Sequence, residues 1–227
     1  MMKSLVLRGS PRKDGITNIF ADAFVRGAKK NAEVFDVNLC EKNIEYCRGC
    51  YACVSLGKCV IEDDMQDLLN LVRQSEVIVC FTPLYFYSVS AQMKTFLDRC
   101  FSLVSTAKTD SQNEGVSGKK LLAFVVGGGR KSSFEAVSKA FEMIADDLKM
   151  NLSAVVCRGE SVYFSELGEE SKRIKKILSA AEQAGEELSR GILTEECVKT
   201  IELPIAPSDV AFEARSKLYW NLLRGKK

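Results

Sequence analysis

Val77-Ile78-Val79-Cys80-Phe81, read on through Thr82-Pro83-Leu84-Tyr85-Phe86-Tyr87-Ser88, decides how this chain folds. Five consecutive apolar residues leave no polar face. A strand here must therefore be covered on both sides, as the strands of a parallel sheet are. A helical pattern from Met65 to Gln74 precedes it, and another from Ala91 to Val104 follows. A buried strand set between two helices is the building unit of an α/β protein.

The same alternation recurs on either side. Leu5 to Leu7 reads as a first strand that stops at Arg8-Gly9-Ser10-Pro11. A helix from Thr17 to Lys30 follows, with Ile19, Phe20, Ala23, Phe24 and Ala28 on one face. Val34 to Leu39, Leu121 to Val126 and Leu152 to Cys157 read as the second, fourth and fifth strands. A polar stretch, Ser105 to Gly118, comes before the fourth. Phe134, Val137, Phe141, Ile144 and Leu148 repeat at helical spacing, and a last helix spans Glu169 to Arg190. Five β-α repeats joined by right-handed crossovers predict a doubly wound, five-stranded parallel sheet of strand order 2-1-3-4-5, the flavodoxin-like α/β arrangement. Residues 1–190 form that domain, with a cysteine-rich loop at 40–59. Residues 191–227 break the rhythm and carry Phe212, Leu218, Tyr219, Trp220 and Leu222. They read as a C-terminal arm that packs on the core or on a neighbouring subunit.

Composition narrows the function. The chain has 227 residues, 46% hydrophobic and 27% charged, with a net charge of +2. Acids and bases are interspersed without a basic stripe, so no nucleic-acid partner is expected. The longest apolar runs are strand-sized, which argues against a membrane span. Met1-Met2-Lys3-Ser4 enters the first strand without a signal-peptide core, so a cytoplasmic location is expected. There is no histidine, which removes Cys/His zinc sites and Ser-His-Asp triads together. The nine cysteines are many for a reducing compartment, where clustered thiols hold metal or do redox chemistry more often than they form structural disulfides.

In an open parallel sheet, ligands bind beyond the carboxyl ends of the strands. Three loops meet there. Gly9 to Asn18 offers Ser10, Arg12, Thr17, Asn18 and the free amides of a helix start, the donors a monophosphate needs. It lacks both the P-loop and the dinucleotide fingerprint. The loop after the third strand brings Pro83, Leu84, Tyr85, Phe86 and Ser88, apolar and aromatic surface suited to a flat ring. Gly127 and Gly128, after the fourth strand, permit close backbone approach. Cys47-x2-Cys50-x2-Cys53-x5-Cys59 places four thiols within thirteen residues. Successive short gaps suit a cubane 4Fe–4S cluster better than zinc, which takes two separated knuckles. Free thiols or redox-switching disulfides are the other reading of this loop. Cys40, Cys80, Cys100, Cys157 and Cys197 lie on or beside apolar runs and read as small core residues.

Taken together, Gly9 to Asn18, Cys47 to Cys59 followed by Asp63-Asp64-Met65, and Thr82 to Asp98 with Ser90-Ala91-Gln92-Met93-Lys94 resemble the iron–sulfur flavoproteins of the NAD(P)H-dependent FMN reductase superfamily. The resemblance implies FMN in the three loops and a 4Fe–4S cluster on Cys47, Cys50, Cys53 and Cys59. It also implies homodimers or homotetramers whose two cofactors approach across an interface. The chain departs from the family at Leu84-Tyr85-Phe86-Tyr87, where relatives often carry glycine after the aromatic pair. The function expected is electron transfer between cluster and FMN, with ferredoxin or NAD(P)H as donor and no catalytic acid or base. Two rivals are a NAD(P)H-dependent FMN or quinone reductase without a functional cluster, and a thiol-based redox sensor that has lost flavin. Because the cysteine loop follows the second strand, it is expected on the rim of the flavin site.

Overall fold

The computed structural model describes residues 1–104 and 115–225. Most of the polar stretch expected over 105–118 therefore lies outside the described residues. Five strands, β1 (Met2–Arg8), β2 (Ala32–Asn38), β3 (Val77–Pro83), β4 (Lys120–Val126) and β5 (Asn151–Arg158), form one sheet. All neighbours are parallel and the order is β2-β1-β3-β4-β5, as the sequence predicts. The helices are α1 (Ile16–Ala28), α2 (Ala52–Leu56), α3 (Met65–Gln74), α4 (Ala91–Arg99), α5 (Glu135–Asp147), α6 (Ser161–Leu167), α7 (Lys172–Leu188), α8 (Glu195–Ile201) and α9 (Asp209–Arg224).

Alternation along each strand builds two cores. Val6, Val79, Phe81 and Phe124 face α1, α7 and α8, while Leu5, Leu7, Ile78 and Val125 face α3, α4 and α5. Each such side chain, fully buried, stabilises the fold by about 1.5–3 kcal/mol. Phe20, Phe124 and Phe81 stack in series, with centroids 5.1 and 4.9 Å apart, and cement the first core. On that face α1 and α7 cross closely. A Cβ on Gly27 would collide with the Glu182 carbonyl, and one on Gly185 with the Phe24 carbonyl.

Some elements differ from expectation. The helix expected over 91–104 ends at Arg99 and tightens into a 3₁₀ turn, Cys100–Leu103. The helix expected from Glu169 begins at Lys172, after Gly168 with φ +68° has turned the chain out of α6. Helices α2 and α6, both short, have no clear apolar period in the sequence. Cys80, Cys100 and Cys197 are core residues, but Cys157 is only partly buried and Cys40 is exposed. Cys40 lies in a 3₁₀ turn (Leu39–Glu41) whose inward position belongs to Leu39.

The residues after 190 divide into two. Cys197, Ile201 and Ile205 join the α7-side core. The buried Glu160 carboxylate accepts the Ile205 and Ala206 amides at 2.5 and 2.8 Å. Arg158 donates to the Ile201 and Leu203 carbonyls at 2.8 and 2.7 Å. Helix α9, by contrast, buries none of its residues. Among the described residues its ties to the domain are few. They include ion pairs from Arg130 to Asp209 and from Arg215 to Glu166, and Phe212 beneath the Arg130 guanidinium. Among the described residues, no helix is long and apolar enough to cross a membrane.

Candidate functional site

Three loops at the carboxyl edge of the sheet form one surface. The Gly9 amide donates to the Phe81 carbonyl at 2.8 Å, binding the first loop to β3. The Leu84 amide donates to the Val126 carbonyl at 2.7 Å, binding the second loop to β4. The Gly127 amide reaches the Arg158 carbonyl at 3.0 Å. The third loop is thus tied to β5, and the residues expected to meet do so.

Within the first loop Ser10, Thr17 and Asn18 are buried and Arg12 is exposed. Gly15 is the N-cap of α1 and, having no side chain, leaves the first-turn amides without a side-chain cap. Those amides and the helix dipole present positive charge to whatever lies above. The Asn18 amide nitrogen donates to the Arg12 and Lys13 carbonyls at 2.7 and 3.1 Å and holds the loop over the helix start. The Asn18 Oδ1 is buried and has no partner. A buried acceptor left open beside uncapped amides fits a phosphorylated polyol: its hydroxyls would satisfy the acceptor, and its phosphate the amides.

The second loop is apolar and aromatic. Thr82 and Ser90 are fully buried, and the Ser90 amide donates to Thr82 Oγ1 at 3.0 Å, closing the base of the loop. Ser90 then caps α4 by accepting from the Met93 amide at 3.3 Å. Pro83 is buried, Leu84 half-buried, and Tyr85, Phe86 and Ser88 exposed, with Phe86 96% exposed. Gly128 is open, its nearest neighbour to a Cβ being Ser161 Oγ at 3.7 Å. The residues present therefore fit FMN, which needs one phosphate cradle and one face for its ring.

The cysteine loop takes a different course from the one expected. Cys47, Cys50, Cys53 and Cys59 line one cavity of about 450 Å³. Its other walls are the last turn of α4, the 3₁₀ turn after it, and the last turn of α5. Both helices begin beside a flavin loop and end at this cavity. The helix rise puts their far ends roughly 13–20 Å from their starts, so the cavity is not on the rim of the surface that the three loops form. Tyr51, at φ +56°, packs edge-on to Phe101 with centroids 6.1 Å apart and pins the loop to that wall.

A buried ion pair supports the loop from beneath. Arg99 and Asp63 meet at 2.8 Å with both side chains 1% exposed. Asp63 also accepts the Glu45 and Met65 amides at 2.8 and 3.0 Å, joining the two ends of the loop to the start of α3. Burial alone would raise the Asp63 carboxyl. The Arg99 hydrogen bonds, the two amides and the Arg99 charge outweigh it and hold the group below its ordinary value. Asp63 belongs to the motif quoted above, whereas Arg99 lies one residue beyond the quoted stretch that ends at Asp98. Its signal is a charge on the apolar stripe of α4, three residues after the buried Phe96.

The thiols differ in state. Burial pushes Cys80 and Cys197 up to about 12 and keeps them protonated and inert. Burial also raises Cys53, and the neighbouring sulfurs of Cys59, Cys47 and Cys50 raise it further, which marks the four as one group. Among the described residues, no set of three or more cysteine or carboxylate side chains is gathered at metal-binding distance. The donor set, four thiols around a single cavity, fits an iron–sulfur cluster by its chemistry.

Sheet order and the loops at its carboxyl edge together define a flavodoxin-like α/β protein. The chain belongs to the NADPH-dependent FMN reductase family, whose model matches residues 2–165. An iron-sulfur flavoprotein of Archaeoglobus fulgidus is 41% identical over 99 residues, 43% of this chain and 45% of that protein. One from Methanosarcina thermophila is 27% identical over 164 residues, 72% of this chain and 80% of its own length. The chain spans about half the length of the first of these curated relatives. Among solved structures, the NAD(P)H:quinone oxidoreductase of Methanothermobacter marburgensis superposes with a TM-score of 0.62 at 15% identity, over 82% of this chain and 96% of that one. That likeness is one of fold.

Proposed function

We propose that this chain is an FMN-containing electron-transfer protein in which Cys47, Cys50, Cys53 and Cys59 hold a 4Fe–4S cluster. The observation that carries the reading is the convergence of those four thiols on one cavity, on a chain whose first loop leaves the buried Asn18 Oδ1 and the α1 amides open. Bound FMN supplies chemistry in one- or two-electron steps, and a cluster would supply single electrons. The protein's own residues bind and orient. Ser10, Thr17 and the α1 amides hold the phosphate, Asn18 Oδ1 accepts from the ribityl chain, and Pro83 to Ser88 with Gly127 and Gly128 frame the ring.

Because the cavity lies at the far ends of α4 and α5, electrons pass between the cysteine site of one chain and the flavin of another. This requires a homodimer or homotetramer. The exposed Leu218, Tyr219, Trp220 and Leu222 of α9 are apolar surface that such an assembly would cover. Reduced ferredoxin is the donor best suited to a one-electron site, with NAD(P)H the alternative. A NAD(P)H-dependent FMN or quinone reductase with an empty cysteine loop is favoured only by the family match.

Anaerobic purification with iron, sulfide and flavin analysis tests the reading. About four irons and four sulfides per chain alongside FMN support it. FMN without iron hands the case to the reductase.

A further inference from the structure

We propose that Arg99 sets the reduction potential of the cysteine site, by directing its Nε–H to the sulfur held at Cys59. The inference rests on the cluster reading above. A guanidinium has five N–H donors. Four of those of Arg99 are used: Nη1 donates to the Glu45 carbonyl and Asp63 Oδ2, both at 2.8 Å. Nη2 donates to Asp63 Oδ1 at 3.1 Å and to the Ile61 carbonyl at 3.4 Å. The fifth, on Nε, is buried and has no partner, in a residue only 2% exposed. Buried donors without partners are rare and call for a reason.

The reason lies across the cavity. Arg99 and Cys59 line the same cavity, and the Cys59 sulfur is near enough to interact with the guanidinium. Asp63 occupies the Nη edge, so the ion pair turns its positive end toward the thiols. The other cation lining the cavity, Arg48, is exposed and lies 3.9 Å from Glu45. Asp98 and Asp147 line the cavity as well and oppose Arg99 from the α4 and α5 sides. One electron delivered from dithionite adds one negative charge at the sulfurs, and no bond forms or breaks. A cationic donor aimed at one of those sulfurs favours the reduced form and raises the potential.

The test uses the full chain, assembled with cluster and FMN, as wild type, Arg99→Lys and Asp63→Asn. Midpoint potentials come from dithionite titration followed by electron paramagnetic resonance, with iron content and melting temperature measured in parallel. Arg99→Lys keeps charge but loses the Nε donor, and its potential should fall. Asp63→Asn removes the countercharge behind Arg99, and its potential should rise. Both variants weaken the same buried pair, so a purely structural role shifts neither potential, or shifts both the same way. Either of those results overturns the proposal. If Arg99→Lys does not fold, Asp63→Asn decides alone: a higher potential supports the proposal, an unchanged or lower one ends it. A wild-type protein without iron overturns the cluster reading and this proposal together. A cluster whose potential ignores both substitutions overturns this one only.

Discussion

Tyr85 and Ser88 exchange both of their backbone hydrogen bonds, at 2.9 and 3.0 Å, and close a two-residue turn in the loop after β3. The two residues between them, Phe86 and Tyr87, have φ of +49° and +64°. Turns of this kind favour glycine or asparagine there, because a side chain in the left-handed region costs about 1–2 kcal/mol. This chain meets that demand with phenylalanine and tyrosine.

Tyr87→Gly should therefore relieve strain worth about 1 kcal/mol, offset by the roughly 0.5–1 kcal/mol of chain entropy that glycine loses on folding. Tyr87→Ala keeps the strain without the ring. Thermal melting should rank the glycine variant above the alanine variant. Equal melting temperatures would limit the strain to no more than the entropy that glycine loses, about 0.5–1 kcal/mol.

The phosphate cradle gives the second prediction. Thr17→Ala or Ser10→Ala should weaken FMN binding by about 1.5–3 kcal/mol, the range for a hydrogen bond to a charged group. Fluorescence titration of the flavin-free protein measures it. Chromatography of the heat-released flavin should give FMN, and FAD would contradict the single-phosphate cradle.

The Asp63–Arg99 pair makes stability depend on acid. The Asp63 carboxyl titrates below its ordinary value in the folded chain. Its contribution is thus complete above the unfolded pKa, about 3.9, and is lost as pH falls through the lower folded value. Melting temperature between pH 7 and pH 2.5 should drop less steeply in Asp63→Asn than in wild type. Asp63→Ala, which strands a buried guanidinium, should cost about 3–5 kcal/mol at neutral pH. Identical acid profiles for Asp63→Asn and wild type would remove this pair from the account.

Helix α9 gives an assembly prediction. Since none of its residues is buried, a chain ending at Ser208 should keep its fold by circular dichroism. Light scattering should show an even-numbered oligomer for the full chain and a smaller species for the shortened one. A 25.2 kDa monomer at micromolar concentration for the full chain would reject the arm as an assembly element.

The route of electrons can be tested at one ligand. Cys50→Ser should leave FMN bound while abolishing flavin reduction by ferredoxin, followed by stopped-flow absorbance. Reduction at the wild-type rate would take the cysteine site off the path.

The pattern of single residues was enough for the sheet. Val77 to Phe81, apolar at every position, required burial on both sides, and its recurrence between helices left the doubly wound order as the economical solution. The three loops were legible for the same reason: topology alone carries Ser10, Pro83 and Gly127 to one edge. What the sequence could not show was direction and partnership. The cysteine loop leaves β2 at the flavin edge, yet Arg99, on a helix 36 residues beyond Asp63, draws it down to the far ends of α4 and α5. A contact of that span has no local periodicity to betray it. Nor did composition distinguish the core-bound Ile201 and Ile205 from the exposed Trp220, since all follow the last β-α repeat. Local spacing determines secondary structure and strand order because these depend on which face is apolar. Only tertiary packing decides where an irregular loop comes to rest, because its position depends on a buried charge finding its counterpart.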